Sequence, residues 1–314
     1  MVLALLSTAL ATLCTACLLT AICHYLGLHF SWLACLLFAA CISPTDPIAV
    51  LSLLKSVNLP RSLSTTIAGE SLLNDGVGIV FFTTFLHMLH VDASYSGTDL
   101  FLFFCQEAIG GILLGYLLAY LSSLLLTHHR LADYDYGKQD IYWSLSLVNI
   151  CYLLALHVNV SPALACVSAG LSSAYFLQKL PSSRFKALLS FWDIVDDLLN
   201  TALFFLSGTF IFTLDFSHPA LLLSIVAVAV VTFSRLLSVI LPLSVLFPHY
   251  RKSRSPALIA LSGLKGGLSL ALALSIPNTF AASDVIVFIT FVVVAFTLLI
   301  QSAVVQYLAK KTSS

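Results

Sequence analysis

Charge is what this sequence has least of. Lys, Arg, Asp and Glu together make up 9% of its 314 residues, against roughly 25% in a soluble globular domain. With 60% of residues hydrophobic, no water-soluble fold could hide the apolar surface, because its outside must meet water. A bilayer removes that demand. The formal net charge is zero, so there is no basic bulk of the kind that binds nucleic acid. The sequence also lacks a nucleophile–base pair, a phosphate-binding loop and a metal-ligand cluster, which argues against an enzyme and against a resident cofactor. None of its nine His falls at a metal-ligand spacing. All eight Cys lie inside apolar stretches and read as small buried hydrophobes rather than a disulfide framework. Cys14 and Cys17 form a C-x-x-C, but without the strand-turn-helix context of a redox motif. Residues 1–26 lack a basic leader and exceed the usual h-region of about 7–15 residues, so they read as a membrane span, not a signal peptide.

What is present is a series of apolar runs long enough to cross roughly 30 Å of hydrocarbon. Ten are expected: 1–26, 32–54, 63–90, 100–127, 140–157, 162–177, 191–213, 220–247, 256–276 and 285–309. Polar Asn159-Val160-Ser161-Pro162 separates the fifth from the sixth. The basic residues support the count. Lys55 and Arg61, Arg130 and Lys138, Lys179, Arg184 and Lys186, Arg251, Lys252 and Arg254, and Lys310 and Lys311 all follow even-numbered runs. Loops after odd-numbered runs have no basic residue. That asymmetry is the positive-inside pattern. It predicts an all-α membrane protein of about ten transmembrane helices, a single transmembrane domain over 1–314 with no soluble domain, and both termini in the cytoplasm.

Six charged residues fall inside the runs: Asp46, Glu70, Asp75, Glu107, Arg235 and Lys265. Each costs about 2.5–3.5 kcal/mol at a helix centre on insertion scales. Left uncompensated, six would cost more than a typical fold's net stability, so they must pair, hydrate or protonate. Intramembrane ionisable groups are functional candidates for that reason. The second run contains Ser43-Pro44-Thr45-Asp46-Pro47. Pro47 lacks the N–H that would bond to Ser43, and Pro44 lacks its own, so the helix is expected to break there. Freed carbonyls, the Thr45 hydroxyl and the Asp46 carboxylate would then face a common cavity, since broken backbone at that depth must be buried in protein or line water. The ninth run contains Gly263-Leu264-Lys265-Gly266-Gly267, a weak helical point carrying a cation. These breaks lie in the middle helices of the first and last three-helix groups, which enter the membrane from opposite sides. That is the sequence sign of an inverted-repeat transporter with its site where the breaks meet.

The third run supplies Gly69-Glu70-Ser71-Leu72-Leu73-Asn74-Asp75-Gly76. Glu70 shares a helix face with Asn74, and Ser71 with Asp75. Glu70 and Asp75 are about 140° apart around the helix, so the two acids are expected to serve different purposes. Asp75 can face the broken second helix. Glu70 needs a buried cation, and Arg235 is the best candidate. Asp193, Asp196 and Asp197 are expected at the start of the seventh helix, where acids suit the N-terminus. Glu107 has no partner visible in sequence and reads as a hydrogen-bonded core acid.

The segments S-P-T-D-P-I-A-V (43–50), G-E-S-L-L-N-D-G (69–76), F-W-D-I-V-D-D-L-L-N (191–200) and G-L-K-G-G-L-S-L (263–270) resemble the monovalent cation/proton antiporter-1 family of bacterial antiporters and animal exchangers. The resemblance implies a fold with two broken, crossing helices in a core domain, thirteen spans and a homodimer in the plasma (bacterial inner) membrane. It implies that Asp75 is the ion- and proton-binding carboxylate. Thr45 and Asp46 would complete the cation site, with Ser71 and Asn74 beside it. Glu70 and Arg235 would form a structural ion pair. Lys265 stands where the family usually has Arg. The ten expected spans match the family's fourth to thirteenth, so the chain is expected to be N-terminally incomplete.

The function these readings imply is exchange of a monovalent cation, most simply Na+, for H+ by competition for Asp75. Asn74-Asp75 offers one exchanging carboxylate, which suggests one proton per cation and electroneutral exchange. No metal is implied beyond the transported Na+. Li+ and K+ would use the same oxygens. The alternative is a truncated, non-transporting remnant or subunit of such an antiporter.

Overall fold

A computed structural model of the chain describes residues 2–28, 30–47, 49–50, 61–89, 97–128, 136–176, 182–210, 218–246 and 255–313. Among them the regular structure is helical throughout. The helices are α1 (Val2–Tyr25), α2 (Trp32–Cys41), α3 (Arg61–His87), α4 (Gly97–His128), α5 (Tyr136–Val158) and α6 (Pro162–Phe176). They continue with α7 (Ser182–Phe210), α8 (His218–Leu246), α9 (Ser255–Leu261), α10 (Gly267–Leu274) and α11 (Ser283–Phe296), which runs through a π-helical turn, Thr297–Gln301, into α12 (Ser302–Ser313).

Among the described residues, each of the ten apolar runs corresponds to one helix or to two pieces of an interrupted one; residues 51–54 of the second run lie outside them. Lys55, Arg130, Lys179, Arg251, Lys252 and Arg254 lie outside the described residues. Five stretches are long and apolar enough to cross a membrane unaided: Leu5–Tyr25, Thr98–Leu125, Lys138–Val158, Ala220–Leu243 and Ser283–Lys310. With Phe101, Leu113, Leu153 and Ile225 turned outward and more than 60% exposed, these helices suit lipid rather than water. α3 falls short of that measure because Glu70, Ser71, Asn74 and Asp75 interrupt its apolar composition.

The described residues form two compact units, Met1–His90 with Leu203–Ser314, and Val91–Ala202. In the first, α1 packs against α2, α3 and α8, and α8 also contacts α9 and α11. Ser31 starts α2, its hydroxyl accepting from Ala34 N–H at 3.1 Å. From Ala34 to Cys41 every residue of α2 is buried, as expected of a helix that is apolar all round. In the second unit α4 packs along α6. Asn159, at φ 55°, makes the left-handed turn between α5 and α6, a conformation Asn tolerates better than most residues. Ser161 then caps α6, accepting from Leu164 N–H at 3.3 Å, with Pro162 at the first helical position.

One placement differs from expectation. α7 begins at Ser182, not near 191, so Asp193, Asp196 and Asp197 lie well inside the helix rather than in its first turn. The amphipathic segment ahead of the apolar run is helical too, and the three acids are exposed. Asp196 Oδ1 accepts from Asn200 Nδ2 at 3.2 Å. Glu107, half-buried on α4, accepts at its backbone carbonyl from Ser161 N–H at 3.2 Å. His157 is exposed in the last turn of α5.

Candidate functional site

Both interruptions fall in the first unit, and each has a local cause. α2 stops at Cys41, because Ser43 precedes Pro44 and a residue before proline is pushed out of the helical region. Helical backbone resumes at Pro47, which suits a first helical position because its missing N–H would have no helical partner anyway. Asp46 caps this restart, its Oδ1 accepting from Ala49 N–H at 3.1 Å. The second interruption separates α9 from α10, with Gly266 as the N-cap of α10.

The two interruptions meet. Asp46 N–H donates to the Leu264 carbonyl at 2.8 Å. Lys265 Nζ donates to the carbonyls of Ser43 and Pro44 at 3.2 and 3.3 Å, placing a cation on the carbonyl end of α2, where the helix dipole favours it. Two residues of the π-helical turn satisfy the second interruption. Thr297 Oγ1 accepts from Lys265 N–H at 3.2 Å, and Gln301 Nε2 donates to the Leu261 carbonyl at 2.7 Å. Thus the chain's own polar groups meet backbone that would otherwise be stranded at depth.

Gly266 allows the approach. A Cβ on it would stand 2.8 Å from Asp46 Cβ and 3.0 Å from Asp46 Oδ2. Gly266→Ala is expected to cost about 1–3 kcal/mol of stability, the usual range for overpacking. It should also disturb Asp46. Thermal unfolding in detergent would measure the first effect, and a Na+ titration the second.

α3 lies across the first interruption and presents its two acids differently. The Asp75 carboxylate accepts one hydrogen bond among the described residues, from Thr45 N–H to Oδ1 at 2.9 Å. Thr45 Oγ1 lies 2.7 Å from Ser71 Oγ, and Ser71 Oγ donates to the Thr45 carbonyl at 2.7 Å. Glu70 is surrounded. Its Oε2 accepts from Arg235 Nη2 at 2.7 Å, and its Oε1 accepts from Asn74 Nδ2 at 2.7 Å and from Ser7 Oγ at 3.1 Å. Glu70 and Arg235 are both buried, at 7% and 5% exposure. Gly263 makes room for the guanidinium: a Cβ there would stand 2.6 Å from Arg235 Nε.

Asp75, Asp46, Thr45, Ser71, Asn74, Glu70, Arg235 and Lys265 are therefore gathered in one unit around the meeting of two broken helices. Sequence reasoning missed Ser7, Thr8 and Thr12 of α1, all at most 1% exposed. Thr8 Oγ1 donates to Asn74 Oδ1 at 2.5 Å, and Thr12 Oγ1 lies 3.3 Å from Ser43 Oγ. Thr297 and Gln301 were missed as well. The signal was a polar stripe at helical spacing within an otherwise apolar helix. A cavity of about 310 Å³ in the second unit, lined by Asp140, Trp143 and Trp192 among others, contains none of these residues.

An all-helical, multi-pass membrane protein whose two interrupted helices meet at buried charges has the architecture of a secondary transporter. The sodium/hydrogen exchanger transmembrane family model matches residues 1–311, and the chain belongs to that family. It is similar to the Na(+)/H(+) antiporter NhaP of Pseudomonas aeruginosa, 34% identical over 91% of this chain and 68% of that protein. It is also similar to the Na(+)/H(+) antiporter NhaH of Halobacillus dabanensis, 33% identical over 87% of this chain and 67% of that protein. Against NhaG of Bacillus atrophaeus the chain spans 54% of the relative's length. In fold it matches the sodium proton antiporter MjNhaP1 of Methanocaldococcus jannaschii with a TM-score of 0.80 at 21% identity, covering 99% of this chain and 78% of that one.

Proposed function

We propose that the chain exchanges a monovalent cation, Na+ in the simplest case, for H+ across the membrane, and that Asp75 carries both. The observation that carries this reading is the contrast between the two acids of α3. Glu70 has an arginine and two further donors, whereas Asp75 accepts one hydrogen bond among the described residues, from the N–H of Thr45, whose hydroxyl and carbonyl meet the Ser71 hydroxyl. A carboxylate so lightly satisfied at depth needs either a proton or a cation. Thr45 and Ser71 offer neutral oxygens to a dehydrated cation, which suits a hard monovalent ion. Lys265 holds the first interruption from the opposite strand of backbone.

Charge counting supports one-for-one exchange. Ionised Asp46, Glu70 and Asp75 carry one more charge than Arg235 and Lys265, so one Na+ or one H+ leaves the cluster neutral. Such exchange moves no net charge. The chain as a whole is read as one transmembrane exchanger domain. A homodimer in the plasma (bacterial inner) membrane, with both termini cytoplasmic, is its proposed setting, supported by the one-sided basic residues and the family resemblance. We read the chain as a transporter rather than an enzyme, a reading its family membership supports.

The test is Na+-driven proton movement in proteoliposomes. The apparent KM for Na+ should rise as pH falls, approaching about tenfold per pH unit once the proton occupies the site, as mass action requires of two ligands sharing one carboxylate. The maximal rate should stay constant, and clamping the membrane potential should change neither. A KM independent of pH would remove the competition. Absence of Na+-dependent proton movement would favour a non-transporting member of the family.

A further inference from the structure

Glu70 meets only part of the Arg235 guanidinium. Nη2 donates to Glu70 Oε2 at 2.7 Å. Nε is buried and has no hydrogen-bond partner among the described residues. It lies against Gly263, where a Cβ would stand 2.6 Å from it. The guanidinium does not deprotonate, so the Nε proton cannot be shed. Leaving a buried donor unmet costs about 1–3 kcal/mol, and more on a charged group. An acceptor is therefore expected beside it. What lies there is a small cavity of about 10 Å³, lined by Arg235, Thr232, Gly263, Lys265, Thr297 and Gln301 among others. Its wall thus comes from α8, the second interruption and the π-helical turn, all within the first unit.

Size and charge limit what this space can take. Roughly 10 Å³ is the least that admits one water, and it excludes any polyatomic ion. Arg235 and Lys265 on the wall repel a cation. An anion would upset the charge count, because Asp46, Glu70 and Asp75 with one H+ or Na+ already balance Arg235 and Lys265. A neutral acceptor of one heavy atom remains. A buried water also needs two to four polar partners, and the wall offers them. Thr297 Oγ1 donates to the Val294 carbonyl at 2.9 Å and accepts from Lys265 N–H, which leaves one lone pair among the described residues. Thr232 Oγ1 donates to the Val228 carbonyl at 2.8 Å and can still accept. Gln301 gives one amide proton to the Leu261 carbonyl, and its amide has a second proton and an oxygen.

We propose that the second interruption binds one water molecule, which accepts from Arg235 Nε and donates to the polar side chains of the π-helical turn. Glu70 then holds one side of the guanidinium and the water another. The π-helical turn places Thr297 and Gln301 on the wall of this site, a use such turns commonly have. Gly263 leaves room for both the guanidinium and the water. The site is separate from the oxygens around Asp75, and it does not depend on which cation the chain carries.

The test uses the whole chain in lipid nanodiscs. A density map fine enough to resolve waters should hold a single peak about 2.9 Å from Arg235 Nε. Replacing chloride by gluconate in the buffer should leave that peak in place. Radiolysis in isotopically labelled water gives a second readout, because a held water marks the side chains beside it even where bulk water does not reach. Arg235 and Val231, each 5% exposed and on the cavity wall, should take up heavy oxygen severalfold faster than Leu258 and Ile259, 1% and 0% exposed and not on it. Val231→Ile adds one methylene to the wall. It should remove the peak and lower the labelling of Arg235 to the level of Ile259. If Val231→Ile does not fold, Ala260→Val narrows the same cavity, and the wild-type map decides without either. Three results would each overturn the proposal: no peak within hydrogen-bond distance of Nε, a peak that disappears with chloride, or undiminished labelling of Arg235 in a folded Val231→Ile protein.

Discussion

Asp75→Asn is expected to abolish Na+-dependent proton movement while leaving the protein folded. Asn has the same shape and keeps an oxygen to accept from Thr45 N–H, the one hydrogen bond this carboxylate accepts among the described residues, so the first interruption need not move. What disappears is the charge and the ability to take up a proton. Opposite unit charges 4 Å apart attract by about 4 kcal/mol at an effective dielectric of about 20, or roughly three orders of magnitude in affinity. Thr45 and Ser71 offer only neutral oxygens and cannot replace that. The substitution also removes the excess negative charge, leaving Asp46 and Glu70 against Arg235 and Lys265. The variant should therefore be at least as stable as wild type in Na+-free buffer, and its unfolding temperature should not respond to Na+. A folded Asp75→Asn protein that still collapses an imposed proton gradient on Na+ addition would show that the exchanging group is elsewhere.

Much of this site is legible in sequence because proline, glycine and charge leave strong marks in an apolar background. Pro44 and Pro47 announce the first interruption, and Gly263, Gly266 and Gly267 the second. The five-residue offset between Glu70 and Asp75 separates their surroundings without any coordinates. Other features leave weaker marks. Ser and Thr in apolar helices often satisfy their hydroxyls on their own backbone, as Thr12 does on the Thr8 carbonyl. A stripe such as Ser7, Thr8 and Thr12 therefore does not reveal in sequence whether it also reaches another helix. Lys265 is conspicuous as a charge, yet the backbone carbonyls it binds have no side-chain identity to read. Thr297 and Gln301 act through a π-helical turn, and one extra residue in a helical turn has no reliable signature in an apolar run. The start of α7 was hidden because its first turns are amphipathic and precede the run that marks the span.

Glu70 and Arg235 should prove strongly coupled. Each is buried, and each is the other's salt-bridge partner at 2.7 Å. Removing one charge leaves the other stranded, which typically costs about 3–5 kcal/mol. Glu70→Gln would also turn an amide donor toward the guanidinium or toward Asn74, so one existing hydrogen bond is lost either way. Arg235→Gln would leave Glu70 with Asn74 and Ser7 alone. In the double variant neither charge remains, two amides can hydrogen-bond to each other, and Arg235 Nε, a buried donor without a partner among the described residues, is gone. The double variant should therefore be more stable than the sum of the single losses implies, with a coupling of about 1–3 kcal/mol in detergent unfolding. Asp75 is outside the pair, so Na+-induced stabilisation should persist in the double variant, shifted rather than lost. Additive losses would mean the pair does not hold α3 to α8. Loss of Na+ response in a folded double variant would mean Glu70 belongs to the cation site, and that the division between the two acids of α3 is wrong.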